Sequence, residues 1–141
     1  MGVSTARTER EILDCFPVMS QLRPHLRREE FVARIRLQQS EGFRLALVRD
    51  GDDVVAVAGF RIGHNLAWGK YLYVDDLVTD EAARSAGKGR ELLDWLVRTA
   101  SAEGCDELHL DSGVQRYAAH RFYLRERMEI TSHHFRRRLR G

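Results

Sequence analysis

Cysteine, proline and long apolar runs are scarce in this chain, and each shortage excludes something. Cys15 and Cys105 are the only two cysteines, with no Cys-x-x-Cys spacing. They make neither a metal motif nor a disulfide framework, so a reducing, cytoplasmic setting is expected. No stretch approaches the ~20 apolar residues that cross a bilayer. Residues 1–9 contain no apolar segment of a signal peptide. No membrane partner is expected. Only Pro17 and Pro24 interrupt the backbone. They are expected to limit the first helix and leave residues 20–25 as a loop.

What is present suits one domain over residues 1–141, long enough for one substantial core. The net charge is only +2, but it is uneven. From Gly113 onward eight arginines face two glutamates, a local balance of +6, which leaves −4 on the rest. The run Arg136-Arg137-Arg138-Leu139-Arg140 has no interleaved aromatic residues, so no nucleic acid is expected as partner. A basic C-terminal part also suits a ligand carrying several phosphates.

Apolar spacing predicts helices over residues 9–19, with Ile12, Leu13 and Phe16, and 28–39, with Phe31, Val32 and Ile35. Residues 43–48 and 54–62 read as strands around the turn signal Asp50-Gly51-Asp52, an antiparallel hairpin. Residues 63–69 read as a loop and 71–79 as a long strand. Leu92, Leu93, Leu96, Val97 and Ala100 form a helical stripe that Gly104 ends. A short strand at 107–112, a helix at 116–126 and a last strand at 130–139 follow. A further strand is expected near residues 3–7.

Between the long strand and the striped helix lies Arg84-Ser85-Ala86-Gly87-Lys88-Gly89. Two glycines permit a tight bend and leave backbone N–H groups uncovered. At a helix N-terminus such groups favour an anion. A P-loop would need four residues between its glycines and then Gly-Lys-Ser/Thr, and that pattern is absent. A dinucleotide fingerprint lacks its third glycine, because Leu92 stands there. Arg-x-x-Gly-x-Gly fits Arg84, Gly87 and Gly89 without adjustment. That is the pyrophosphate turn of the GNAT acetyltransferases.

The order of elements also resembles the GNAT superfamily over nearly the whole chain. A second motif lies at Ala119, Phe122 and Tyr123, where the family has Ala-x-x-Phe-Tyr. The usual following Gly-Phe is Arg127-Met128 here, and a frequent asparagine is Arg116. A narrower likeness, to aminoalkylphosphonate N-acetyltransferases, rests on residues 118–126 and on Ser132-His133-His134-Phe135. The resemblance implies a single-domain α/β fold. Its sheet is mixed and mostly antiparallel, with helices on both faces and a splayed parallel pair formed by strands 71–79 and 107–112. It implies acetyl-CoA as cosubstrate and a small-molecule primary amine as acceptor. A peptide acetyltransferase and a non-catalytic CoA-binding module stay open. Many relatives are homodimers.

Acetyl transfer needs positioning, removal of a proton from the amine, an oxyanion donor and an acid for the departing thiolate. By resemblance, the pantetheine arm pairs with Leu77, Val78 and Thr79, and the pyrophosphate sits on Arg84, Ser85, Ala86, Gly87, Lys88 and Gly89. Tyr123 is the expected general acid. Asp76, just before the CoA-pairing residues, is the expected base; adjacent strand residues face opposite ways, so at most one of Asp75 and Asp76 points at the amine. His109, His120, His133 and His134 are alternatives. A metal held by His64, His133 or His134 with an aspartate has no supporting spacing, so no metal is expected.

Overall fold

The computed structural model describes residues 2–140, the side chain of Ser85 excepted. The described chain forms two compact units, one ending at Leu110 and one beginning at Asp111.

The first unit opens with strand β1 (Val3–Thr5) and helix α1 (Glu9–Leu22). Thr8 caps α1 in a reciprocal box, its hydroxyl accepting from the Glu11 N–H at 3.1 Å while Glu11 Oε1 accepts from the Thr8 N–H at 2.9 Å. The helix runs through Pro17 to Leu22, against the expected stop. The buried stripe Ile12, Cys15, Val18 and Met19 continues past the proline, and burying it outweighs one missing helical hydrogen bond. Helix α2 (Arg28–Gln39) follows with the predicted bounds.

Strands β2 (Arg44–Asp50), β3 (Asp53–Asn65) and β4 (Gly69–Thr79) form an antiparallel meander, and β1 pairs outside β2. The predicted loop at 63–69 is shorter than expected. Gly63 pairs with Tyr71 and His64 with Lys70, so β3 keeps its ladder to Asn65. Gly63 admits this because the Tyr71 ring lies over it, where a Cβ would stand 2.8 Å from the phenol oxygen. A 3-10 turn (Glu81–Ala86) then leads into helix α3 (Lys88–Ala102). Strand β5 (Glu107–Leu110) ends the unit, paired in parallel with β4. The result is a mixed sheet of order β1-β2-β3-β4-β5, antiparallel except for its last pair.

Period-two alternation divides the apolar residues between the faces. Leu45, Leu47, Val57 and Val78 pack with Ile12, Val18, Phe31 and Ile35 of α1 and α2. Ala46, Val48, Ala58, Phe60, Leu72 and Val74 are buried on the opposite face. There α3 packs with Leu92, Leu93, Leu96 and Ala100 buried, and its Trp95 ring meets Phe60 edge-on at 5.8 Å. Val97, predicted in the stripe, lies at its margin and is half exposed.

The second unit contains helix α4 (Tyr117–Arg125). Its C-terminus closes as a Schellman motif: the Met128 N–H donates to the Tyr123 carbonyl at 3.0 Å and the Arg127 N–H to the Leu124 carbonyl at 3.2 Å. That geometry puts Arg127 at φ 67°, a conformation glycine adopts without strain. The predicted last strand at 130–139 is not formed. These residues have no ladder, and Ile130, Phe135 and Leu139 are largely exposed. Alternation favours extension only; a strand also needs a partner edge, and three adjacent arginines repel one another.

Candidate active site

Two irregularities in β4 and its sequel build the site. The first is a bulge. Gly59 pairs with Asp76 but Phe60 pairs with Val74, so Asp75 is the extra residue. Strict alternation therefore breaks at the two aspartates, contrary to the expectation that they face opposite ways. Asp75 makes a forked pair with Arg61, at 2.8 and 3.2 Å. Asp76 Oδ1 accepts from Arg23 Nε at 2.9 Å, and the same guanidinium donates to the Asp75 carbonyl at 3.0 Å. Asp76 lies on the α1 side with Val78, as a two-residue offset requires.

Room for Asp76 comes from Gly59. A Cβ there would stand 2.8 Å from Asp76 Oδ2, and it would overlap the Phe43 ring. Arg61 in turn lies over Phe43, 5.6 Å from the ring centre. Burial pushes the Asp76 carboxyl above its ordinary range, and the neighbouring Asp75 charge adds to this. The Arg23 hydrogen bond and charge, with Arg61 behind them, pull the other way. The side chain is only 14% exposed. A carboxylate raised by burial accepts a proton more readily than a solvated one.

The second irregularity is the end of the parallel ladder. Pairing between β4 and β5 runs from Tyr71–Glu107 to Val74–Leu110 and stops. Beyond it Leu77, Val78 and Thr79 pair only with Ala58, Val57 and Ala56 of β3. A β4 edge without a strand ladder therefore starts at the bulge and points toward the turn.

The turn itself differs from an open glycine loop. Its first half is the 3-10 turn, capped by Asp80, whose carboxylate accepts from the Ala82 N–H. Gln21, in the last turn of α1, grips the same point: Nε2 donates to Asp80 Oδ1 at 2.9 Å and Oε1 accepts from the Glu81 N–H at 3.1 Å. Gly87 then takes φ 74° and α3 begins with no side-chain cap. The N–H groups of its first turn have no intrahelical acceptor.

The two glycines serve different needs. Among the described residues nothing lies within 4 Å of a Cβ at Gly87, so its requirement is conformational; a Cβ at Gly89 would stand 2.9 Å from Thr79 Oγ1, so its requirement is steric. An uncapped, glycine-led helix start fits a pyrophosphate, which takes backbone N–H bonds and the positive end of the helix. Lys88 Nζ lies 3.7 Å from Glu91 Oε1. Arg84 is exposed. Of Ser85, only the backbone is described.

In the second unit, burial pushes the Tyr123 hydroxyl above its ordinary pKa, opposed by the charge and hydrogen bond of Arg116. A guanidinium only donates.

Three of the histidines have partners. His109 Nε2 meets Glu107 Oε1 at 2.6 Å and its ring stacks on Trp68 at 3.5 Å. His120 Nε2 meets the Gly113 carbonyl at 2.7 Å, and His134 lies 3.8 Å from Asp111. His133 and His64 are exposed. Among the described residues no three His, Cys, Asp or Glu side chains converge as metal ligands.

Sequence reasoning missed Arg23, Arg61 and Gln21. Arg61 was the most legible of these, a single cation inside the apolar run of β3. Arg23 and Gln21 fell in the segment read as a loop, where no spacing marks them.

Residues 6–127 match the acetyltransferase (GNAT) family, and the chain belongs to it. It is 33% identical, over 117 residues and 82% of each chain, to the "uncharacterized N-acetyltransferase YhdJ" of Bacillus subtilis (strain 168). A putative acetyltransferase from Agrobacterium tumefaciens C58 shares the fold with a TM-score of 0.84 at 23% identity, over 98% of this chain and 99% of that one. The aminoglycoside N-acetyltransferase AAC(6')-Iy, solved in complex with CoA, gives 0.82 at 14% identity, over 99% and 95%. The protein is thus an enzyme, an acetyltransferase of the GNAT class. No helix among the described residues is long and apolar enough to cross a membrane.

Proposed function

We propose that residues 1–141 act as one N-acetyltransferase domain that moves an acetyl group from acetyl-CoA to a primary amine of a small molecule by direct attack. The observation that carries this reading is the continuity of β4. One strand supplies a bulge holding Asp76, an unladdered edge at Leu77, Val78 and Thr79, and the approach to an uncapped helix start at Gly87. A thioester laid along that edge is held beside a carboxylate at one end while its phosphates are held at the other. The solved relative in complex with CoA and the family match support acetyl-CoA as the cosubstrate.

In the proposed reaction Asp76 takes a proton from the acceptor ammonium, directly or through water. The freed nitrogen lone pair attacks the thioester carbon. A backbone N–H near Val78 stabilises the oxyanion. The carbon–sulfur bond then breaks, the thiolate takes the Tyr123 proton, and the second proton of the acylated nitrogen passes through water to the Tyr123 phenolate, which restores the hydroxyl. Products are the N-acetyl amine and CoA.

The test is release of CoA thiol across a panel of primary amines that includes aminoglycosides, aminoalkylphosphonates and lysine peptides. Amine-dependent release with small molecules supports the reading. Release with peptides alone makes the protein a peptide acetyltransferase. Tight acetyl-CoA binding without release for any amine makes it a binding module.

A further inference from the structure

We propose that Arg23 is a positioning residue that sets the pH range over which Asp76 can accept a proton. The inference rests on Asp76 being the base and names what controls it.

Arg23 closes α1: its backbone N–H still bonds the Met19 carbonyl, while φ −121° and ψ 73° turn the chain away. Its guanidinium spans the bulge, with Nε on the Asp76 carboxylate and Nη2 on the Asp75 main chain. Asp76 is nearly enclosed, whereas Arg23 is 42% exposed. The cation therefore costs little to keep charged, while its partner depends on it. The other charged groups around Asp76 are Asp75 on β4 and Arg61 on β3, which neutralise each other through their fork. Phe43 and Gly59 form the uncharged wall. Among the described residues Arg23 is thus the one counter-charge that Asp76 does not share.

The experiment follows kcat against pH with one amine for the wild type, Arg23→Gln, Arg23→Lys and Asp76→Asn, alongside a carbon-13 titration of the Asp76 carboxyl in the first three. Using one amine cancels its own ionisation. Arg23→Gln keeps a donor for the Asp75 carbonyl but removes the charge. It is expected to move both the acidic limb and the carboxyl titration up by about one pH unit, a loss of roughly tenfold at pH values below the limb. Arg23→Lys restores the charge and returns both most of the way. A merely structural role would not track charge in this manner. If Arg23→Gln leaves limb and titration in place, the inference is wrong. If Asp76→Asn keeps the wild-type limb, Asp76 is not the base and the catalytic half of the inference falls with it; the carboxyl titration then still decides whether Arg23 controls that group.

Discussion

Thr79 Oγ1 stands 2.9 Å from the point where a Cβ on Gly89 would lie, so the strand and the first turn of α3 approach to a distance that only glycine permits. Gly89→Ala should force the two elements apart, at about 1–3 kcal/mol for overpacking, and weaken acetyl-CoA binding. Adding Thr79→Ala should recover stability by removing the clashing oxygen. Adding Thr79→Val should not, because it keeps the bulk. Thermal unfolding and calorimetric titration of the two double variants check this. Equal behaviour of the pair would mean that the contact is not what restricts Gly89.

Asp76 makes an unusual prediction for stability. Its carboxyl is raised above the ordinary value of 3.8 in the folded protein. The folded state therefore binds the proton more tightly than the unfolded state, and stability falls as pH rises from the unfolded pKa through the folded one. Asp76→Asn has no such proton to lose. Its melting temperature relative to the wild type should climb with pH across that window and then level off. A difference that shrinks with rising pH would contradict the assigned environment.

Tyr123→Phe should keep acetyl-CoA affinity and lower kcat by roughly 10²–10⁴-fold, the usual contribution of a general acid. Because the hydroxyl is raised above its ordinary value of 10.0, it stays protonated through neutral pH, and wild-type activity should fall only beyond that value. Turnover equal to wild type in Tyr123→Phe would reduce the tyrosine to packing.

Arg127→Gly should stabilise the protein by about 1 kcal/mol, since Arg127 occupies a left-handed position that costs an L-residue roughly that much. Chemical denaturation measures it. A loss of stability would show that the Arg127 side chain contributes more than its backbone costs.

These predictions divide along the line between what spacing reveals and what only folding reveals. The Arg84, Gly87 and Gly89 pattern was legible because helix N-termini and glycine conformations are local. The bounds of α2 and the hairpin around Gly51 were legible for the same reason. The bulge at Asp75 was not, because it is a mismatch between two strands and neither carries a mark of it alone. Reading β4 as a regular strand therefore set Asp75 and Asp76 on opposite faces. Arg23 was hidden by Pro17, whose helix-breaking tendency the buried face of α1 overrides. The segment at 130–139 shows the converse: its alternation was legible, but the partner edge it needs is not written in its own residues.

The central claim is that the acetyl group passes directly from acetyl-CoA to the amine. A rapid-quench single turnover, with enzyme in excess over labelled acetyl-CoA and a reactive primary amine from the panel, tests it most directly. With direct transfer, CoA thiol and N-acetyl amine appear together at one rate, no label is found on the protein at any time, and Asp76→Asn slows both products equally. Label accumulating on the protein before the N-acetyl amine forms, or CoA thiol appearing without acetylated amine, would contradict it.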